Sequence, residues 1–295
     1  ANTSEFEKEK ADYELQKNKL SLQVAKTYEQ IVYWQHQERL YSYLDSLYQN
    51  FSKASDRRFE LGETNYLEKI TAQSKYRQIK TKLTQINFEK KAQYESLQAL
   101  VQSDEKISIL EKELVPIPTL DTTSNKAIHT AYLESISKMY KSQISLQKQH
   151  WLPDLNLEYF QGRNNGLSQS LYGFQVGIAV PILFSGNVSK TKVAQLESQS
   201  WEEQKQNQEQ KMTQFIRQQQ NEIAKYQESI NYYNATGKKL SEEIIKVANS
   251  SYKNGEIDFF QYIQSLENAV AIKIEYVEAV LQFNSNQLEL HYLNF

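Results

Sequence analysis

The chain has 295 residues, 39% of them hydrophobic, and a net charge of −2, a balance that gives no general electrostatic attraction to nucleic acid. There is no cysteine, which excludes disulfides, thiol catalysis, a Cys-type zinc site and a lipidated Cys within these residues. No run approaches about 18 consecutive apolar residues, so no membrane-spanning helix is expected.

Turn-formers are scarce, with 8 Gly and 4 Pro, against 20 Tyr and abundant Gln and Asn. Long polar-faced helices follow from that composition. The chain begins with Ala rather than Met and reads as a piece of a longer or processed protein, with any export signal or lipid anchor upstream.

From Glu5 to Phe51 the sequence predicts one long helix. Leu20, Val24, Tyr28 and Ile31, then Leu40, Leu44, Leu47 and Phe51, recur at steps of three and four on one face. About 50 residues at 1.5 Å each would span roughly 70 Å, a length that suits a coiled coil. The stretch RFELGETNYLEKI, Arg58 to Ile70, then makes a turn. Gly62 is expected to end the first helix in the left-handed conformation, Asn65 to cap the next, and Glu68 to complete a capping box. That second helix is expected to reach about Leu110.

The stretch SYKNGEIDFFQYI, Ser251 to Ile263, repeats this logic at an offset of 193 (255 minus 62): Gly255 stops a helix, Asp258 caps its successor and Gln261 sits three residues on. Tyr33 falls on Tyr226, Leu47 on Leu240, Leu97 on Leu290 and Leu100 on Leu293 at the same offset. The chain is therefore read as a duplicated helical hairpin with two similar tips.

Between the hairpins the texture changes. VPIPTLDTTSN, Val115 to Asn125, is an extended linker, and a helix is expected from Lys126 to His150. Leu155, Leu157 and Tyr159 alternate with Asn156 and Glu158. Tyr172, Phe174, Val176, Ile178, Val180 and Ile182 alternate with Gly173, Gln175, Gly177 and Ala179. Both are strands by their period of two, joined by a loop over Gly162 to Ser170. After Gly186 the second long helix begins, with a seam of Ile223, Tyr226, Ile230, Tyr233, Leu240, Ile244 and Val247.

The second strand sets large apolar residues against Gly, Gln, Gly and Ala. A membrane β-barrel needs this pattern, and so does an ordinary hairpin that covers a core. Two strands cannot close a barrel, so further strands must come from upstream or from other copies. Tyr159, Tyr172 and Phe184 suit the aromatic girdles. The segments read as 1–114 first hairpin, 115–125 linker, 126–151 helix, 152–186 strand pair and 187–295 second hairpin.

The order helix, WLPDLNLEYF, loop, strand ending VPILFSGNV, long helix, Gly-containing tip and helix resembles the TolC-like outer-membrane efflux proteins. The carrying motifs are Leu152 to Leu155, Pro181 to Gly186 and the two tips. The resemblance implies a mainly α fold: coiled-coil hairpins in a periplasmic α-barrel, and a β-hairpin contributing to a trimeric outer-membrane β-barrel. It implies a passive efflux duct for drugs or heavy-metal ions in the outer membrane and periplasm of a Gram-negative bacterium. The implied partners are two further copies, a periplasmic adaptor, an inner-membrane pump of the resistance-nodulation-division type, and outer-membrane lipid. Family members have two strand pairs and this sequence shows one, so the front of the first repeat is expected upstream; the chain also resembles the end of some fused heavy-metal pumps. The alternative reading is a structural coiled-coil scaffold with no transport role.

The resemblance assigns adaptor docking to the tips, Arg57, Arg58, Gly62, Glu63, Thr64, Tyr252, Lys253, Asn254, Gly255 and Glu256, read as exposed at a hairpin end. It places Phe174, Val176, Ile178 and Val180 against lipid. Asp56, Glu60 and Asp258 are candidate aperture charges, or a solvated helix surface. His36, His129, His150 and His291 show no ligand spacing, and no catalytic motif appears, so no enzyme activity, cofactor or metal is expected.

Overall fold

A computed structural model describes residues 2–111, 113–164, 169–180 and 185–293. The elements in order are α1 (Asn2–Glu60), α2 (Tyr66–Val101), α3 (Thr123–Gln149), β1 (Asp154–Asn164), β2 (Gln169–Ala179), α4 (Ser185–Tyr232), a π turn (Tyr233–Gly237), α5 (Lys238–Lys253) and α6 (Phe259–Tyr292). The predicted fold class stands: long helices with one antiparallel strand pair. Pro181, Ile182 and Phe184 lie outside the described residues, as do the central residues of the predicted loop.

The chain forms two compact units, one of residues 1–16 with 126–212 and one of residues 17–125 with 213–295. In the first, α3 packs on α4. The Trp201 indole donates to Ser137 Oγ at 3.0 Å, and its ring lies over Tyr140. The strands keep pairing past their apolar residues, to Asn164 and back from Gln169, so the connection is shorter than Gly162 to Ser170. The ladder is a backbone interaction and does not need the alternation to continue.

The second unit holds two core clusters. One gathers Val32, Tyr33, Leu114, Ile230, Val277, Val280 and Phe283; the other gathers Leu44, Tyr48, Ala72, Ala248, Phe259, Tyr262, Ile263 and Leu266. The two repeats are unequal here. Helix α6 buries fourteen residues and α2 four, because α6 is rich in Val, Ala and Leu while α2 is mostly polar.

Two sequence-predicted seams need correction. Leu20 is exposed on α1, where Leu15, Leu22, Val32 and Tyr48 are buried instead. After the π turn, Leu240 and Val247 face outward, and the buried positions are Gly237, Ser241 and Ala248. Closely packed helices bury small residues: a Cβ added at Gly237 would stand 3.2 Å from Ile272. Apolarity alone selects the wrong residues on such a face.

Helix α2 also stops early, at Val101 rather than Leu110. Gln102 takes the left-handed conformation (φ 51°), and its N–H and that of Ser103 close on Ala99 and Gln98. Among the described residues the chain then runs without helix to α3, held by side chains. Gln35 donates to the Ile109 carbonyl at 3.4 Å. Asn284, fully buried, accepts from the Ile117 N–H (2.9 Å) and donates to the Val115 carbonyl (2.9 Å) and to Glu29 (2.7 Å). Asn18, Asn125 and His291 tie down its end through Asn18→Asn125 (2.7 Å) and Asn125→His291 carbonyl (2.8 Å) bonds.

His36 completes this attachment by accepting the Leu114 N–H at Nδ1, 3.4 Å away, which requires the neutral ring. Burial, and then the Arg39 guanidinium, push the His36 pKa below its usual 6.5, against the pull of Glu113. The contact therefore contributes fully above pH 6.5 and is lost as pH falls through the lowered folded value. Hydrogen exchange at the Leu114 amide, corrected for intrinsic rate, is expected to speed up from about pH 7.5 to about pH 5 in the native protein and not in His36→Gln. A pH profile identical in both proteins would refute the attachment through His36.

Candidate functional site

The backbone hydrogen bonds that close the two turns match in length to within a tenth of an ångström. At the first, the Gly62 N–H bonds to Phe59 O (3.0 Å) and the Glu63 N–H to Arg58 O (2.8 Å). At the second, Gly255 bonds to Tyr252 O (3.1 Å) and Glu256 to Ser251 O (2.8 Å). This pair of bonds satisfies the last helix carbonyls and needs a left-handed residue. Gly62 and Gly255 supply it, with φ of 75° and 74°. A Cβ at either would meet no atom within 4 Å, so the demand for glycine is conformational and not steric.

The following caps differ. Asp258 accepts from the Gln261 N–H (2.8 Å), and Gln261 returns to the Asp258 N–H (3.1 Å), the predicted reciprocal box. Asn65 accepts from the Glu68 N–H (2.9 Å), but Glu68 does not return the bond. Its carboxylate is drawn elsewhere, to Arg58 (3.0 Å) and to Thr64 Oγ1 (2.6 Å), and it is buried.

That diversion ties the repeats together. The same Arg58 nitrogen donates to the Tyr252 hydroxyl at 3.0 Å, so Thr64, Glu68, Arg58 and Tyr252 form one chain of bonds from the first tip to the second. Arg58, Thr64 and Tyr252 are consequently half-buried and paired, a correction to their expected exposure. Arg57, Glu63, Lys253, Asn254 and Glu256 are exposed as expected. Ser251 and Asn254 donate to the Glu256 carboxylate (2.7 and 3.2 Å) and hold its pKa below the usual value. No sequence signal marked Glu68 as part of a link, since its side-chain partners Arg58 and Thr64 precede the cap and only Arg58 reaches the other repeat, at Tyr252.

Two of the three candidate aperture charges, Asp56 and Asp258, have partners. Asp56 accepts from Gln73 (2.8 Å) and stands 3.6 Å from Lys69, and Asp258 serves as the helix cap. Glu60 is exposed.

In the strand pair, Leu155 faces Ile178, Leu157 faces Val176 and Tyr159 faces Phe174. Opposed residues of an antiparallel pair project to the same side, so these six share one apolar face. It is bare: Leu157 is 80% and Phe174 77% exposed. Val180 is exposed one residue beyond the end of β2. The opposite face carries Asn156, Glu158, Gly173, Gln175 and Gly177, with one exception the alternation did not flag. Phe160 lies on this side over Gly173, where a Cβ would stand 2.5 Å from its ring. No helix among the described residues is long and apolar enough to cross a membrane.

A strand pair with one uncovered apolar face, carried on long helices that turn at paired tips, is the architecture of an outer-membrane channel subunit. The outer membrane efflux protein family matches residues 137–293, which is 157 positions (293 minus 137, inclusive) and more than half the chain. The chain belongs to this family, and its location is the outer membrane and periplasm of a Gram-negative bacterium.

Solved structures share the fold. A membrane protein from Pseudomonas aeruginosa aligns at a TM-score of 0.83 and 14% identity over 98% of this chain and 70% of that one. The CmeC outer membrane channel of Campylobacter jejuni aligns at 0.81 and 14% identity over 98% of this chain and 66% of that one. The outer membrane protein VceC of Vibrio cholerae aligns at 0.76 and 16% identity over 99% and 72%. The chain thus spans about two thirds to seven tenths of these proteins. No curated protein matches it significantly.

Proposed function

We propose that this chain is part of the outer-membrane duct of a tripartite efflux system, working as a homotrimer. It performs no catalysis. An inner-membrane pump of the resistance-nodulation-division type supplies the energy, and drugs or heavy-metal ions are the solutes. A periplasmic adaptor docks on the tips through Arg57, Glu63, Lys253, Asn254 and Glu256. Asp56, Glu60 and Asp258 contribute negative charge near the aperture. The observation that carries the reading is the doubled tip: two hairpins from separate repeats end in the same backbone geometry, with exposed polar side chains on both. A trimer would present six such ends, a regular surface for one kind of partner. The bare apolar face of the strand pair supports lipid contact by the same chain and disfavours a scaffold, which has no use for it.

The test uses the native protein from the outer membrane. In planar bilayers it is expected to conduct ions, and deleting its gene is expected to sensitise cells to the substrates of one pump. Loss of export restored by a variant that does not conduct would overturn the duct.

A further inference from the structure

Where α4 runs into its π turn beside α6, the second unit holds an open recess of about 830 Å³. That volume falls within the range of small-molecule sites. Its buried lining residues are Tyr33, Ala279 and Leu281. Above them the lining is tyrosine. Tyr233 stacks on Tyr276 with ring centroids 3.9 Å apart, and Tyr226 joins them from α4. The π turn packs against α6 at this recess: a Cβ added at Gly237 would stand 3.2 Å from Ile272 and 3.3 Å from Tyr232, both lining residues. Single π turns inside α-helices are frequent at functional sites.

The charge of the lining is one-sided. Glu228, Glu275 and Glu278 are exposed lining residues without a hydrogen bond or ion pair among the described residues. No Lys or Arg among the described residues lines the recess. Glu278 is felt in the interior: burial first, and then this carboxylate, push the Tyr33 hydroxyl up to about 12. The faces of the tyrosine rings carry the negative end of the ring quadrupole and attract cations. One ring of the lining already does so, since the Lys225 ammonium lies 4.3 Å over Tyr226. No carboxylates or imidazoles among the described residues gather as a metal site, so the glutamates do not point to an inorganic ion. An anion would be repelled, and a neutral ring would gain nothing from the three carboxylates.

We propose that this recess binds an aromatic organic cation, a flat ring system that carries a fixed positive charge. The rings lie against the tyrosines, and the charge sits toward Glu275 and Glu278 at the rim. The site is separate from tip docking. Its test needs no adaptor, pump or ion conduction, and its failure would leave the duct reading standing.

The experiment measures binding of N-methylquinolinium and of quinoline, the same two rings with and without the fixed charge, to the native protein. Calorimetry and ligand-observed NMR in a non-ionic detergent at about pH 7.5 read it, against empty micelles. The cation is expected to bind about tenfold tighter than quinoline. Glu275→Gln with Glu278→Gln is expected to weaken the cation about three- to tenfold and to leave quinoline unchanged. Ser229→Trp, which sets an indole into the recess from its exposed edge on α4, is expected to abolish binding of both. Gln282→Trp does the same from α6 and serves if the first variant melts early. Absence of saturable cation binding overturns the proposal. So does quinoline binding as tightly as the cation, an equal effect of the glutamine pair on both probes, or unchanged cation binding in both Trp variants.

Discussion

Ile178→Arg is expected to cost the assembled barrel about 2–4 kcal/mol if the position lies near the bilayer midplane, and Gln175→Arg much less. The two positions are three residues apart, on opposite faces of β2. Ile178 shares the bare face with Leu155 directly opposite and with Val176 and Phe174 along the strand. A guanidinium there has no partner and must be dragged to an interface or desolvated. Gln175 faces Glu158 across the ladder, so an arginine at that position gains an opposite charge on the polar side. The measurement is urea unfolding of the native protein in lipid, read at the barrel transition. Equal costs for the two substitutions would mean that the apolar face does not meet lipid.

The strand parity was legible because alternation is a property of neighbouring residues, and the tips were legible for the same reason. A glycine at the left-handed position, followed by Asn65 or Asp258 as cap, is turn chemistry confined to a few residues, and both glycines adopt the expected φ. What escaped reading depends on which of several available bonds a side chain makes once the chain is folded. Glu68 carries the spacing of a capping box, yet Arg58 and Thr64 take its carboxylate. Helix α2 ends at Gln102, a residue with no special claim to the left-handed region, and Gln35, His36 and Asn284 organise the chain beyond it. The seam of α5 fails for a third reason. The buried positions there, Gly237 at the end of the π turn and Ser241 and Ala248 in α5, are small, and a scan for large apolar residues passes over them.

Arg58→Glu is expected to destabilise the helical hairpins, while Arg57→Glu with Lys253→Glu is expected to leave their stability unchanged and weaken adaptor docking. The sequence gives all three residues the same look: basic, near a tip glycine. The structure separates them. Arg57 and Lys253 are exposed, so reversing them alters the field at the ends of the two hairpins without breaking a side-chain bond among the described residues. Docking that depends on such rim charges should weaken, and more at low salt than at high. Arg58 instead bridges buried Glu68 and Tyr252, and a glutamate there sets two carboxylates side by side while removing both bonds. Removing one partner of a fully buried pair costs about 3–5 kcal/mol. The Arg58 side chain is 40% exposed, so about 2 kcal/mol is the scale here after solvent screening. Adding Glu68→Gln removes the like charge and is expected to restore about half of the loss. Denaturant unfolding followed by helical circular dichroism reads the first effect, and adaptor cross-linking on variants matched for outer-membrane abundance reads the second. If Arg58→Glu proves as mild as the Arg57 and Lys253 pair, the bond chain from Thr64 to Tyr252 does not hold the repeats together. If the pair leaves cross-linking unchanged at every salt concentration, the tip charges do not dock the adaptor, and the repeated tip is a folding device alone.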